Sequence, residues 1–435
     1  MSSLAQAVAR LQAVTSAGEA RRVGKLAAHD GVMLQATGLD QPIGSTVRIG
    51  GTLSGEVVGF RGKTSLIVPF GQAAGVAAGA RVEPDGTAGL VACGPELLGR
   101  VLDPLGRPLD GGPLPACRAS WPLHGRARNP LDQPRVTEPL DLGVRAVNAL
   151  LTAGVGQRIA IAAGSGVGKS VLMGQMLAGA ECDVAVVALV GERGREVSDF
   201  LETRLTGSAR RRSIVVAVPA DHPPLLRLRA ALRATAIAEW FRSLGQRVFL
   251  LVDSLTRVAH AQREIGLALG EPPTVKGYPP SALAVIPRLI ERAGGDRRTG
   301  GAVTAVYTVL ADGGDTEDPV VDTARAIVDG HIILSRQLAE AGVFPAIDVG
   351  RSLSRVMADL VSPAHLAAAA HYRRLWSAWE DGRDLVMLGA YAKGSDPLLD
   401  QAIAGREAML ALLRQAPDKR VDQPTAAAAL IGLFA

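Results

Sequence analysis

The most informative part of the chain is an octapeptide, Ala163-Gly164-Ser165-Gly166-Val167-Gly168-Lys169-Ser170. It follows a predicted apolar strand and opens a predicted helix, which is the setting of a phosphate-binding loop. Glycines let backbone N–H groups turn inward around phosphate oxygens, and the helix adds the positive end of its dipole. Lys169 would reach the β- and γ-phosphates, and the Ser170 hydroxyl would hold Mg²⁺. We therefore predict a Walker A loop that binds a nucleoside triphosphate.

The loop departs from the usual pattern at its first position, where Ala163 stands in place of a glycine. An alanine is tolerated there if the backbone needs no positive φ. A chance glycine-rich turn is the alternative interpretation, and the order of strand, loop and helix argues against it.

Apolar strands and helical patterns alternate on both sides of this loop. This alternation predicts an α/β fold with a parallel sheet and helices on its faces. The predicted strands are 158–163, 183–190, 213–218, 247–252, 302–310 and 330–334, and the predicted helices are 168–180, 194–205 and 223–244.

Acidic residues follow the predicted strands 247–252 and 183–190. Asp253 ends the strand Val248 to Val252 and is predicted to be the Walker B acid that binds Mg²⁺. Glu192 and Arg193 follow a third apolar strand. Because ligands bind beyond the carboxyl ends of strands in open α/β sheets, Glu192 could polarise the attacking water and Arg193 could meet the γ-phosphate. A surface Glu–Arg pair at a helix start is the alternative for these two residues.

The segments on either side of the nucleotide-binding domain have sequence patterns that predict other structures. Residues 1–21 are predicted to form an amphipathic helix with Leu4, Val8 and Leu11 on one face. Short β-branched runs between Gly and Pro turns predict a small β-barrel over 22–92. The nucleotide-binding domain is assigned to 93–355, and an Ala- and Leu-rich helical domain to 356–435.

The bulk composition excludes several classes of protein. The chain has 435 residues, is 48% hydrophobic and has a formal net charge of +5, which does not by itself indicate nucleic acid. Its three cysteines lack CxxC spacing, so reduced structural thiols are expected. Its histidines form no metal-ligand pattern. No apolar run reaches the length of a membrane span, and the N-terminus lacks signal-peptide features. We expect a cytoplasmic protein.

Several longer runs extend these motifs. They are residues 191–197 (Gly-Glu-Arg-Gly-Arg-Glu-Val), 253–264, 270–273, 276–280, 334–336, 344–348, 352–357, 389–391 and 394–397. Together they resemble the rotary and export ATPases, most closely the flagellar and virulence type III protein-export ATPases. The resemblance extends from about Arg22 to Ile403 and is loosest in the predicted barrel.

The resemblance implies a RecA-like domain that hydrolyses ATP with Mg²⁺. It implies that Lys169 and Ser170 bind phosphate and Mg²⁺, and that Glu192 is the catalytic carboxylate. Arg193 and Arg257 would lie near the γ-phosphate. Arg355 would be an arginine finger that reaches a neighbouring subunit's site. Phe344, followed by Pro345, stands where the family has an adenine-stacking aromatic residue, usually Tyr, and a Phe keeps the stacking face.

The resemblance also implies partners. The family forms a homohexameric ring, with a stator-like regulatory subunit at the N-terminal helix and a central stalk-like protein facing the helical domain. An export gate and chaperone–substrate complexes complete the set, and no nucleic acid is expected. The implied location is the cytoplasmic side of an inner-membrane export apparatus. The overall texture favours a flagellum over an injectisome.

Three alternatives remain open at this stage. One is a rotary ATP synthase subunit, although Ser-Leu-Thr-Arg after Asp253 resembles the export branch more closely. A Rho-like RNA translocase would need base-stacking aromatics, and residues 22–91 offer only Phe60 and Phe70. The third is a non-hydrolysing structural paralogue, and the intact Lys169, Glu192 and Asp253 argue against it.

Overall fold

The computed structural model describes residues 22–85, 89–310 and 318–434. The described residues divide into two compact units, one that ends at Gly89 and one that begins at Leu90. The amphipathic helix predicted over residues 1–21 lies outside the described residues.

The first unit contains a closed six-stranded barrel with strand order β1-β2-β5-β4-β3-β6. Side chains that alternate along the strands, such as Val47 and Ile49 on β3, fill its interior. The strands are β1 (Gly24–His29), β2 (Leu34–Thr37), β3 (Thr46–Ile49), β4 (Leu53–Arg61), β5 (Thr64–Pro69) and β6 (Arg81–Pro84).

The second unit is built on a nine-stranded sheet with the order β19-β18-β12-β17-β15-β13-β14-β8, and β16 also pairs with β17. The neighbours from β18 to β8 run parallel, whereas β19 and β16 pair antiparallel. The strands are β8 (Val101–Leu102), β12 (Arg158–Ala163), β13 (Val184–Glu192), β14 (Ser213–Pro219), β15 (Arg247–Asp253), β16 (Gly294–Gly295), β17 (Ala302–Leu310), β18 (Gly330–Leu334) and β19 (Ile347–Ser354). Two small antiparallel pairs, β7 (Leu90–Cys93) with β9 (Ala119–Pro122) and β10 (Pro139–Leu140) with β11 (Ala153–Gly154), lie outside this sheet.

The six strands predicted for the nucleotide-binding domain are all present. Their interiors are almost fully buried, as expected for parallel strands covered on both faces. The predicted helix 194–205 differs in one respect, because its α-helical part Gly194–Asp199 continues as a π-helical turn, Phe200–Arg204. The barrel, the largely parallel sheet and the C-terminal helices confirm the predicted fold class.

The helices are short except where they cover the sheet or form the C-terminal region. No described helix is long and apolar enough to cross a membrane. The C-terminal helices share one apolar core with the sheet and its helices. Within the described residues the α-helices are Arg145–Leu150, Lys169–Gly179, Gly194–Asp199, Gly207–Arg211, Pro224–Ser243, Leu255–Leu269, Pro280–Ile290, Pro319–Ile327, Arg336–Glu340, Met357–Leu360, Pro363–Met387, Pro397–Leu413 and Gln423–Gly432.

Candidate nucleotide-binding site

A cleft of about 580 Å³ opens at the carboxyl ends of β12, β13 and β17. This is the edge at which parallel sheets bind ligands. Its lining joins the predicted Walker A loop to residues from four further segments. The lining residues are Gly164, Ser165, Gly166, Gly168, Lys169, Ser170, Val171, Gly191, Glu192, Arg193, Glu196, Asp199, Arg204, Ala220, Arg257 and Leu310.

The backbone conformation of the Walker A loop explains why glycine is needed at two of its positions and why alanine is tolerated at a third. Gly166 and Gly168 have φ angles of 78° and 86°, in the region that favours glycine. Ala163 is the last residue of β12, pairs with Leu310 and is not among the described residues with positive φ. The alanine at the first position is therefore compatible with the loop.

Lys169, Asp253 and Glu192 meet in the cleft. Lys169 Nζ lies 2.7 Å from Asp253 Oδ1 and 3.5 Å from Glu192 Oε1. The Thr308 hydroxyl also donates to Asp253 Oδ1. Thr308 lies on β17, between β12, which precedes the Walker A loop, and β15, which ends in Asp253. Burial works against the Lys169 charge, yet Asp253 and Glu192 leave the pKa of Lys169 above its ordinary value. Lys169 is therefore a fixed cation at the position where phosphates would enter.

Glu192 has the environment of a general base. Burial and the neighbouring Asp253 charge raise the pKa of Glu192 to about 7, against the opposing effect of Lys169. Its Oε1 is buried and has no hydrogen-bond partner. A carboxylate with a pKa near neutrality and an oxygen that makes no hydrogen bond can accept a hydrogen bond from a water molecule and orient it.

The pH dependence of catalysis should report this carboxylate. We expect kcat/KM for ATP to fall as the pH drops through about 7, because protonated Glu192 cannot accept a proton from water. Since the Glu196 charge contributes to raising the pKa of Glu192, Glu196→Gln should move the midpoint to lower pH. The ionisation of ATP itself is common to both proteins and cancels in the comparison. A midpoint that stays in place or moves upward would contradict this assignment.

The two predicted arginines of the cleft differ in exposure. The Arg193 side chain is 85% exposed, and its guanidinium lies 3.7 Å from Glu196. Arg257 belongs to the helix that follows Asp253, and its side chain packs against Gly191, where a Cβ would approach it to 3.1 Å. The buried Nε of Arg257 has no hydrogen-bond partner. Both cations line the cleft and are available to a negatively charged ligand.

Phe344 and Pro345 lie between β18 and β19, outside the set of residues that line the cleft. The Phe344 ring lies next to the Walker A loop, because a Cβ on Gly168 would be 3.4 Å from Phe344 Cδ1. Phe344 is 42% exposed and can present a ring face to a nucleotide base. The structure thus places an aromatic ring beside the phosphate-binding loop.

Arg355 is remote from the cleft of its own chain. The preceding Ser354 pairs with Gly330, which pairs with Ile159 near the start of β12. At about 3.3 Å per residue, the strand from Ile159 to Ala163 spans about 13 Å. The Arg355 N–H donates to the Asp329 carbonyl at 2.9 Å, and its guanidinium is exposed. Arg355 therefore lies at the opposite end of the sheet from the Walker A loop.

Four polar side chains of the site were not predicted from the sequence. Glu196 and Asp199 line the cleft from the helix that follows Arg193, Arg204 lines it from the turn after that helix, and Thr308 contacts Asp253. The spacing of Glu196 and Asp199 along the predicted helix was a usable signal, because residues three apart share a helix face. Arg204 belongs to the π-helical turn, and Thr308 lies in an apolar strand without a distinguishing pattern.

A Walker A loop beside two carboxylates at the carboxyl edge of a parallel sheet defines a P-loop nucleoside triphosphatase. Residues 143–354 match the nucleotide-binding domain of the ATP synthase alpha/beta family. Residues 361–432 match the T3SS EscN ATPase C-terminal domain.

The flagellum-specific ATP synthase of Salmonella typhimurium is 50% identical, over 95% of this chain and 94% of the relative. The type 3 secretion system ATPase of Xanthomonas euvesicatoria is 46% identical, over 92% of this chain and 91% of the relative. The assembled ATPase EscN of enteropathogenic E. coli superimposes with a TM-score of 0.90 at 39% identity, covering 95% of this chain and 100% of EscN.

The chain therefore belongs to the flagellum-specific and type III secretion ATPases of the ATP synthase alpha/beta family. The predicted resemblance and the assignment as an ATPase are confirmed. The match to a type III secretion C-terminal domain favours this branch over a rotary synthase subunit and over an RNA translocase.

Proposed function

We propose that this chain hydrolyses Mg-ATP to energise the export of flagellar proteins through a type III apparatus, as a homohexameric ring. The observation that carries the proposal is the meeting of Lys169, Glu192 and Asp253 within 3.5 Å beside the Walker A loop. This set provides a phosphate-binding cation, a water-orienting carboxylate and a second acid in one cleft. The names of the relatives supply the link to protein export.

The residues divide the work of phosphoryl transfer among them. Backbone N–H groups of the loop would cradle the phosphates, and Lys169 would exchange its contact with Asp253 for the β- and γ-phosphates. Glu192 would hold the attacking water through Oε1, which makes no hydrogen bond within the chain. Arg257 would balance negative charge that develops on the transferred group.

The donor set fits Mg²⁺ shared with a nucleotide. Ser170 lines the cleft, and the carboxylates of Asp253 and Glu192 lie beside Lys169. Among the described residues no group of three or more acidic, His or Cys side chains could hold a metal alone. Mg²⁺ usually binds through one or two protein oxygens plus phosphates and waters, and when bound it neutralises developing phosphate charge.

Export can be tested in the cells that carry this chain. Lys169→Ala should stop secretion of flagellar filament protein, because the loop loses its phosphate-binding cation. Secretion of injectisome effectors, measured in the same cultures, should be unaffected if the chain serves the flagellum. Undiminished filament secretion by a stable Lys169→Ala chain would overturn the proposal.

The partners form part of the same proposal. The relative EscN has been solved in complex with its central stalk EscO, with a TM-score of 0.87 to this chain. We propose a comparable stalk for the C-terminal helices, an export gate, and chaperone–substrate complexes as clients, at the cytoplasmic face of the inner membrane. A stator-like subunit would bind residues 2–17.

A pull-down with chains that lack residues 2–17 tests this docking. We expect these chains to lose the partner and to retain ATPase activity.

A further inference from the structure

The backbone of Phe344 is fastened to a distant segment of the chain. The N–H of Gln415, just after the helix Pro397–Leu413, donates to the Phe344 carbonyl at 2.8 Å. The Phe344 ring is 42% exposed and lies against the Gly168 side of the Walker A loop. Because few neighbours confine an exposed ring, its position depends strongly on how its backbone is held.

The Gln415 side chain fixes the segment that supplies this contact. Gln415 is only 7% exposed, and its Oε1 accepts from the Arg145 N–H at 2.6 Å. Its Nε2 donates to the carbonyls of Gly143 and Lys419, at 2.8 and 2.7 Å. One buried amide therefore uses its acceptor and both donors to join residues 143–145 to the segment that holds Phe344.

The same segment is also tied to the Walker A helix. Gln175, on the helix Lys169–Gly179, donates from Nε2 to the Ala416 carbonyl at 3.2 Å. The loop at Gly143 packs directly on the end of that helix, where a Cβ on Gly179 would lie 2.6 Å from Gly143 Cα. Phe344 and the Walker A loop are thus held on one body, and Gln415 lies at the junction.

We propose that Gln415 is a positioning residue for nucleotide binding, which holds the Phe344 ring at the correct place for the base relative to the phosphate-binding loop. This inference rests on the proposed function, and specifically on the assignment of Phe344 to the base. Gln415 itself touches no part of the nucleotide. Its effect is to make the ring pre-organised, so that binding ATP does not have to immobilise it.

The proposal predicts a loss confined to the base. Gln415→Ala should raise the Kd for Mg-ATP about three- to tenfold, which corresponds to the cost of immobilising one side chain on binding. The Kd for Mg-tripolyphosphate, which engages the phosphate-binding loop but has no base, should not change. Both constants can be measured by titration calorimetry on the full chain.

Gln157→Ala provides a matched control. Gln157 is also buried, and its side chain also makes three hydrogen bonds, to Gly154 N, the Asp329 carbonyl and Ser354 Oγ. These contacts lie at the start of β12, away from Phe344. The control should lose thermal stability to a similar extent and bind both ligands like the wild type.

A double-mutant cycle of Gln415→Ala with Phe344→Ala tests whether Gln415 acts through the Phe344 ring. If Gln415 acts through the ring, adding Gln415→Ala to Phe344→Ala should weaken ATP binding no further. Equal weakening of ATP and tripolyphosphate, additive losses in the double variant, or unchanged ATP binding by Gln415→Ala would overturn the positioning role. An unchanged Kd in Phe344→Ala alone would instead overturn the assignment of the base site.

A second variant reaches the same segment if Gln415→Ala fails to fold. Gln175→Ala removes the bond from the Walker A helix to Ala416 and leaves Gln415 in place. It should raise the Kd for Mg-ATP above that of the wild type, again without changing tripolyphosphate binding. Parallel weakening of both ligands by this variant would count against the proposal.

Discussion

Glu192→Gln is expected to lower kcat by about 10²–10⁴ while ATP still binds. The substitution keeps the shape of the side chain and removes the charge that allows it to accept a proton from water. Lys169 remains in contact with Asp253 at 2.7 Å, so the phosphate-binding cation stays in place. The loss should therefore appear in turnover rather than in affinity.

Two measurements together test this expectation. Steady-state hydrolysis gives kcat, and calorimetric titration with a slowly hydrolysed ATP analogue gives the affinity. Glu202→Gln is the matched control. Glu202 lies in the π-helical turn that follows the helix Gly194–Asp199, and it does not line the cleft. That variant should turn over like the wild type. Near wild-type turnover by Glu192→Gln would show that another group orients the water.

The sequence predicted those parts of the site that depend on local pattern. Gly166 and Gly168 occupy the left-handed conformations that a phosphate-binding loop requires, and Asp253 and Glu192 end apolar strands. Each of these signals lies within a few residues of the side chain concerned. Their meeting in one cleft follows from parallel strands, whose carboxyl ends share an edge.

Features that depend on tertiary contacts could not be predicted in this way. Strand β19 escaped prediction because buried Ile347 and Val349 are followed by exposed Gly350 and Arg351, next to a register shift against β18. That shift interrupts the period of two by which strands are recognised. The hydrogen bond from Gln415 N–H to the Phe344 carbonyl joins segments that are distant in sequence, and no periodic sequence pattern predicts such a contact.

Arg355→Ala is expected to lower the rate of hydrolysis by about 10³–10⁵, the range known for arginine fingers. Arg355 lies at the opposite end of the sheet from its own Walker A loop, so any contribution to hydrolysis would have to be made at a site on a neighbouring chain. The affinity for ATP in the isolated chain should therefore be unchanged. Arg355→Lys keeps the charge but loses the planar fork of donors, and should recover only part of the rate.

Mixing two inactive variants tests whether each site is shared between subunits. Glu192→Gln chains lack the carboxylate but keep Arg355, whereas Arg355→Ala chains keep the carboxylate and lack the arginine. In mixed rings some interfaces pair an intact Glu192 with a neighbour's intact Arg355, so part of the activity should return. Specific activity of the wild type should also rise with protein concentration, as subunits assemble. Absence of recovery in rings shown by mass spectrometry to be mixed, or full activity of an isolated monomer, would rule out a shared site.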